Sequence, residues 1–438
     1  MKVPSLGLLT DRDFRRYFVS TAVSALGNQF AILALPLVAV LTLNATPFQV
    51  GLLSAVSTAG FLIIGLPAGA WIDRMRVRPV IVAADALRAV CILVVPLAAL
   101  SGLLTIWLLY GVALLGSFCN AFGLVARQSY LPQLAGRANL IESNAKLGGI
   151  EQVTRLAGPS VAGQLIAVLT APLALLVTAA SLAVSSVSIL LIRRPDLPRE
   201  ERNRNLWAEV LEGLRFVFAN RLMRATVSSI SWTNLWGLAY SSMLVLFLAQ
   251  TLHRSPGVIG AFLSVSAIGG LAGAFVARRL AGWLGQGPVL WLSLLVGMPF
   301  LFVVPAIRPG WQIWLAGIGY AVAQCSIVVV NVVNGSARQV MAPDHLLGRM
   351  NATVRFLTWS TAPIGSLIGG LLGTAIGPRA TLAVAAGGAT LGFLPIFLSP
   401  LRRMATIPPW SQTTTAVDRS PASTGSDPTI TTSGSRAG

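Results

Sequence analysis

Residues 126–139 read ARQSYLPQLAGRAN, and residues 337–351 read ARQVMAPDHLLGRMN. Ala126-Arg127-Gln128, then Pro132, Gly136-Arg137 and Asn139, thus return as Ala337-Arg338-Gln339, then Pro343, Gly348-Arg349 and Asn351, about 210 residues later. A second pair lies upstream: Pro47, Val50, Gly51 and Gly60 reappear as Pro256, Ile259, Gly260 and Gly269. Each copy sits between long apolar segments. Two similar halves, each a bundle of membrane helices, are the architecture of many secondary transporters. No catalytic motif accompanies the repeat.

Composition places the chain in lipid. Hydrophobic residues make up 55% and charged residues 11%, against about a quarter charged in a soluble domain. The mean hydropathy is +0.75. One water-facing globule cannot hide so much apolar surface. The net charge of +18 does not point to nucleic acid, because the basic residues are spaced between apolar spans rather than gathered with aromatics. Cys91, Cys119 and Cys325 all fall inside apolar spans, with neither a disulfide framework nor metal-ligand spacing. No cofactor and no metal site is expected. The N-terminal apolar span is too long for a signal peptide core and reads as a retained first helix.

A bilayer core takes about 20 apolar residues per helix. Twelve spans result, at about 17–43, 47–71, 80–101, 103–125, 145–169, 172–192, 224–250, 256–280, 287–307, 311–333, 353–376 and 379–399. Arginines crowd alternate loops: Arg74, Arg76 and Arg78, then Arg127 and Arg137, Arg193 to Arg204, Arg278 and Arg279, Arg338 and Arg349, Arg402 and Arg403. The opposite loops hold only Arg254, Arg308 and Arg379. The positive-inside rule then puts both termini in the cytoplasm. The expected fold is all-α and integral to the membrane, with 12 transmembrane helices in two pseudo-symmetric six-helix bundles. Residues 1–193 form the first bundle, 194–221 a cytoplasmic linker, 222–403 the second bundle and 404–438 a disordered cytoplasmic tail rich in Ser, Thr, Pro and Gly. In the linker, Leu206, Trp207, Val210, Leu211, Leu214 and Phe218 recur at helical spacing. They predict an amphipathic helix that either lies on the membrane face or only joins the bundles.

Gly69-Ala70-Trp71-Ile72-Asp73-Arg74 precedes Arg76 and Arg78 at the cytoplasmic end of the second span. Gly69 permits close helix approach, and Asp73, Arg74 and Arg78 can latch the two bundles. The equivalent loop in the second half has Gly273 and Arg278-Arg279, but Ala277 replaces the acid. This cluster resembles the loop signature between the second and third helices of the major facilitator superfamily, usually G-x-L-A-D-R-x-G-R-K, with Arg76 and Val77 as departures. Asp85-Ala86-Leu87-Arg88, with Arg127-Gln128-Ser129-Tyr130-Leu131-Pro132, resembles the drug–proton antiporter branch that includes macrolide and siderophore exporters. The resemblance covers roughly residues 8–403. It implies alternating access between two bundles, a small-molecule substrate, proton antiport and a multi-pass protein of the cell membrane.

Gly158-Pro159 with Gly163 in the fifth span resembles the Gly-Pro bend of exporters, which normally reads G-P-x-x-G-G; here the last glycine is one residue late. Pro363, Gly365, Gly369 and Gly370 occupy a comparable place in the eleventh span. Gly and Pro bend a helix and let it pack tightly, so the bend marks either direction or packing alone. The fourth span, ending at about residue 125, carries no arginine before Arg127. Coupling schemes built on an arginine inside that helix are not carried over.

Charges inside a bilayer are costly and usually functional. The acids inside apolar spans are Asp85 and Glu151, each with a base on its own helix face, Arg88 and Arg155. Each acid is read in two ways: as the group that takes up the coupling proton, or as half of a structural ion pair. Asn28, Gln29, Asn120, Gln152, Trp232, Asn234, Trp236, Tyr240, Gln324, Asn331 and Asn334 are candidates for a central cavity, or for interhelical bonding and anchoring.

The expected function is export of hydrophobic or amphipathic small molecules by a proton-driven secondary transporter, acting as a monomer in the lipid bilayer, with no nucleic-acid partner. The chain has no P-loop to use ATP. An importer of polar solutes needs a denser set of polar cavity residues. An enzyme needs convergent nucleophile, base or metal ligands, and a non-transporting sensor needs a folded soluble domain.

Overall fold

The computed structural model describes residues 7–64, 71–72, 75–194, 206–341 and 347–406. The polypeptide forms α1 (Arg12–Leu37), α2 (Pro47–Ile64), α3 (Val77–Leu100), α4 (Ile106–Ala135), α5 (Leu140–Leu169), α6 (Ala171–Leu190), α7 (Leu206–Ala219), α8 (Arg221–Leu246), α9 (Pro256–Leu284), α10 (Gln286–Gly297), α11 (Ile313–Met341), α12 (Leu347–Trp359) and α13 (Thr361–Thr390). α7 falls where the linker helix is expected; Val217 on it is buried and Phe218 half exposed. The linker residues 195–205 and the tail from 407 lie outside the described residues.

Helix occurs at every predicted span. Among the described residues, ten stretches are long and apolar enough to cross a membrane. The eleventh and twelfth spans share one such stretch, Met350–Phe397. It breaks at Gly377 (φ 82, ψ 158), immediately before Pro378. The fifth span, α5, is helical but carries Glu142, Lys146 and Glu151 on its first half, with Arg155 just past its middle. α4 and α11 run well past their predicted ends, to Ala135 and Met341. Arg127 and Arg338 therefore sit within helices rather than in loops.

The repeat is written into the backbone. α1 ends in a π-helical turn at Val38–Thr42 and α8 in another at Phe247–Thr251. Each is followed by a non-glycine residue in the left-handed region, Asn44 (φ 49) and His253 (φ 52). Thr170 (φ 85, ψ 155), between α5 and α6, has nearly the conformation of Gly377 in the second half.

Within the first half, α6 packs on α1 and α3, and α4 packs on α2 and α3. Within the second, α13 packs on α8 and α11 on α9 and α10. Two seams join the halves, α2 against α13 and α5 against α9. Both depend on glycine at the end where α2 and α9 begin, which the charge pattern assigns to the outside. A Cβ on Gly51 would stand 2.7 Å from the Gly370 backbone nitrogen. A Cβ on Gly163 would stand 2.9 Å from the Gly260 Cα. Gly51 and Gly260 are the repeat-related residues, so one motif builds both seams. Large apolar side chains such as Val168, Phe275 and Trp283 stand exposed on the surface, as a lipid-facing wall requires.

Candidate functional site

In the first half, Asp85 is buried and forms an ion pair with Arg127 of α4. The Ser185 hydroxyl of α6 donates to Asp85 Oδ2 at 2.6 Å. Arg127 also donates to Ser185 Oγ at 2.9 Å and to Ser20 Oγ of α1 at 3.0 Å. The Tyr17 hydroxyl donates to the Arg127 carbonyl at 3.1 Å. This cluster ties four helices together and gives the carboxylate a charged partner and a hydroxyl donor, which is how a buried charge is stabilised. The expected partner, Arg88, points elsewhere. It donates to Asn28 Oδ1 of α1 at 2.7 Å and to Asn120 Oδ1 of α4 at 3.1 Å. Helix spacing identified a neighbour of Asp85 on its own helix, but the partner comes from α4.

α5 carries the second acid in a different setting. Arg155 Nη2 lies 3.6 Å from Glu151 Oε1, and both side chains are 62% exposed. Their direction follows from the rest of the helix. Gly158 faces Gln29 of α1, where a Cβ would stand 2.7 Å from the Gln29 Cβ. Gly163 faces Gly260 of α9, and the Ser160 amide donates to Ser264 Oγ of α9 at 3.0 Å. Glu151 lies two turns before Gly158, and Arg155 one turn before Pro159, on the same face. Gln152, two turns before Pro159, is also exposed. The half of α5 that packs on α1 and α9 through Gly158, Ser160 and Gly163 thus gives way, toward its start, to an exposed stretch that carries the charged pair.

The second-half candidates divide. Asn234 donates to the Thr358 carbonyl at 3.3 Å and, with Thr233 and Asn331, lines a small cavity closed by Leu294, Ile327 and Val330. Gln324 is half-buried, one turn from Tyr320. Trp232 Nε1 donates to the Gly388 carbonyl at 2.8 Å and Trp236 lies over Gly388, so both anchor α8 to α13. Tyr240 is a core residue rather than a cavity wall. Its hydroxyl donates to the Leu301 carbonyl at 3.0 Å, four residues before Pro305, which has no N–H to offer that oxygen. Asn334 is buried.

Of the loop motif, Gly69, Asp73 and Arg74 lie outside the described residues. Arg78 donates to the Ile189 carbonyl at 3.2 Å and to that of Leu190, tying α3 to the end of α6. A different bridge spans the halves at that end. Arg355 of α12 donates to Gln128 Oε1 of α4 at 3.3 Å and stands over the Phe61 ring of α2 at 6.0 Å, while Trp359 packs on Phe61 at 5.6 Å.

Residues 17–359 match the family model described as Major Facilitator Superfamily. This chain belongs to the major facilitator superfamily. It is therefore a multi-pass membrane transporter and not an enzyme. Two curated facilitators illustrate its relatives. The multidrug efflux pump Tap of Mycolicibacterium fortuitum is 28% identical over 393 residues, covering 86% of this chain and 93% of Tap. The enterobactin exporter EntS of Salmonella typhi is 26% identical over 410 residues, covering 92% and 96%. Among solved facilitator folds, the nucleoside transporter NupG superposes with a TM-score of 0.70 at 14% identity, over 88% of this chain and 98% of NupG. A bacterial homologue of ferroportin in an inward-facing state gives 0.66 at 16%, over 88% and 98%. These superpositions establish the fold alone.

In facilitator terms, the site has one buried acid, Asp85, paired with Arg127, and one exposed acid, Glu151, on α5. From 222 to 403 the sequence contains a single acid, Asp344, which lies outside the described residues. Sequence reading missed Arg127 and Ser185 as partners of Asp85, and Ser20 and Tyr17 as partners of Arg127. The signal available was the repeated Ala-Arg-Gln, which marks Arg127 as a fixed feature of the fold.

Proposed function

We propose that this facilitator exports hydrophobic or amphipathic small molecules by alternating access, driven by proton entry, and that Glu151 is the group that carries the proton. One observation supports this most directly. Glu151 is exposed on α5, two turns before the Gly158-Pro159 pair, while Asp85 is locked by Arg127 and Ser185. An exposed carboxylate whose ion-pair partner stands at 3.6 Å exchanges a proton without dismantling the bundle; Asp85 does not. The names of Tap and EntS, an efflux pump and an exporter, favour the outward direction, as does the Gly158-Pro159 bend at the seam. The two bundles are residues 1–193 and 222–403, joined by 194–221, with 404–438 as a tail. Both termini are cytoplasmic by the arginine pattern, and one copy of the chain is the working unit.

Uptake of a dye and antibiotic panel into everted membrane vesicles, with and without an inward-acid pH gradient, tests the reading. Gradient-dependent accumulation supports it; accumulation only when the gradient is reversed points to an importer.

A further inference from the structure

The duplicated Ala-Arg-Gln places Arg338 where Arg127 stands in the first half. The two arginines are not treated alike. Arg127 meets the carboxylate of Asp85 on α3. The equivalent helix, α10, has no acid, and Leu294, in the corresponding stretch, is a buried apolar residue. Among the described residues no carboxylate pairs with Arg338. Its Nε is buried without a hydrogen-bond partner. One turn earlier on the same face, Asn334 is 1% exposed, and neither its Nδ2 nor its Oδ1 has a partner. Helical side chains lean toward the helix N-terminus, so the i,i+4 spacing places Arg338 and Asn334 as neighbours on one face of α11. Val330, Val333, Ala337 and Met341 of α11 are buried around them.

Such an arrangement is costly as it stands. A buried polar group without a partner destabilises the fold, and here the unpartnered groups are both polar atoms of Asn334 and the Nε of the half-buried Arg338. The last carbonyls of α11 offset about half a charge, but they lie beyond Arg338, on the side away from Asn334. What remains is a set of N–H donors from a guanidinium and an amide on one face, beside one unpartnered acceptor, Asn334 Oδ1, which must turn away from any anion those donors hold. We propose that Asn334 and Arg338 form a binding site for a small monovalent anion of the chloride type, which takes the place that the Asp85 carboxylate fills in the first half. The site is independent of transport direction and of Glu151.

The test uses the purified full-length protein in discs of neutral phosphatidylcholine. Its unfolding temperature is measured in sodium chloride and in sodium gluconate at equal ionic strength. The wild type is expected to unfold several degrees higher in chloride, saturably. Arg338→Gln and Asn334→Leu are expected to lose that increment. Arg338→Gln in gluconate should be at least as stable as the wild type, because the unneutralised cation is gone. If Arg338→Gln does not fold, the Asn334→Leu increment and bromide located by anomalous scattering decide. Equal wild-type temperatures in the two salts would overturn the proposal and leave a bound water only. So would an undiminished chloride increment in both variants, or an equal loss of stability in both salts, which is the mark of a packing role. Loss of the increment in Asp344→Asn would also overturn it, by making the chain's own carboxylate the partner. None of these results bears on vesicle transport, so failure here leaves the export reading untouched.

Discussion

Asp85 of α3 is held by Arg127 of α4, 42 residues along the chain, and not by Arg88 one turn away on its own helix. Ser185 of α6 donates to the same carboxylate oxygen. The pair is therefore a knot between helices rather than a local helix pair, and its removal should be read in stability first.

Asp85→Asn leaves a buried guanidinium without its counter-charge, as Arg127→Gln leaves the carboxylate. Each is expected to cost about 3–5 kcal/mol, and the double substitution less than the sum by up to roughly 3 kcal/mol. Thermal unfolding of the four proteins in detergent measures the cycle. Strict additivity contradicts the pairing.

The two glycine seams respond to bulk. Gly260→Leu puts a side chain where the Gly163 Cα lies 3.0 Å from a modest Cβ, and Gly51→Leu does the same against Gly370. Both variants should lose transport while remaining inserted. Gly111→Leu, where a Cβ meets nothing within 4 Å, should keep it. Normal transport by Gly260→Leu rules out a closed α5–α9 seam as part of the cycle.

Thr170 holds a conformation that belongs to glycine, as Gly377 does at the corresponding turn of the second half. Thr170→Gly relieves strain of about 1–3 kcal/mol, less the added freedom of the unfolded chain. A modest rise in unfolding temperature is expected, and a clear fall for Gly377→Thr. The reverse pattern contradicts the backbone described.

Tyr240→Phe removes the donor to the Leu301 carbonyl, which Pro305 leaves unserved in its own helix. The expected loss is about 1–3 kcal/mol, with the apolar packing retained. Tyr110, whose hydroxyl donates to the Gln49 carbonyl at 3.2 Å from a less buried position, should cost less on the same change. Unfolding temperatures compare them.

Much of this fold is legible along the chain because hydropathy and repeat spacing are local. The Pro47 and Pro256 copies announce α2 and α9, and the copies of Ala-Arg-Gln mark equivalent points of α4 and α11. Hydropathy ends the fourth span near residue 125, whereas the helix continues to Ala135. A helix carries on past the apolar stretch as long as its polar residues find partners, and Arg127 finds four side chains. Partners of that kind come from other helices. No spacing rule on one helix selects Arg127 over Arg88 for Asp85, or Gly370 as the surface for Gly51. The tryptophans mislead for a related reason. Trp232 and Trp236 look like a ligand wall by type, but Gly388 on α13 provides the flat surface they cover. Glu151 was legible by its rarity, and its exposure follows only from where α1 and α9 touch α5.

The central claim is that Glu151 carries the coupling proton and Asp85 holds the bundle. Proton-gradient-driven dye uptake into everted vesicles should be measured for Glu151→Gln beside the wild type at matched protein levels. We expect Glu151→Gln to lose gradient-driven uptake while keeping its unfolding temperature within about 0.5 kcal/mol of stability, since both members of its ion pair are exposed. Undiminished gradient-driven uptake by Glu151→Gln contradicts the account.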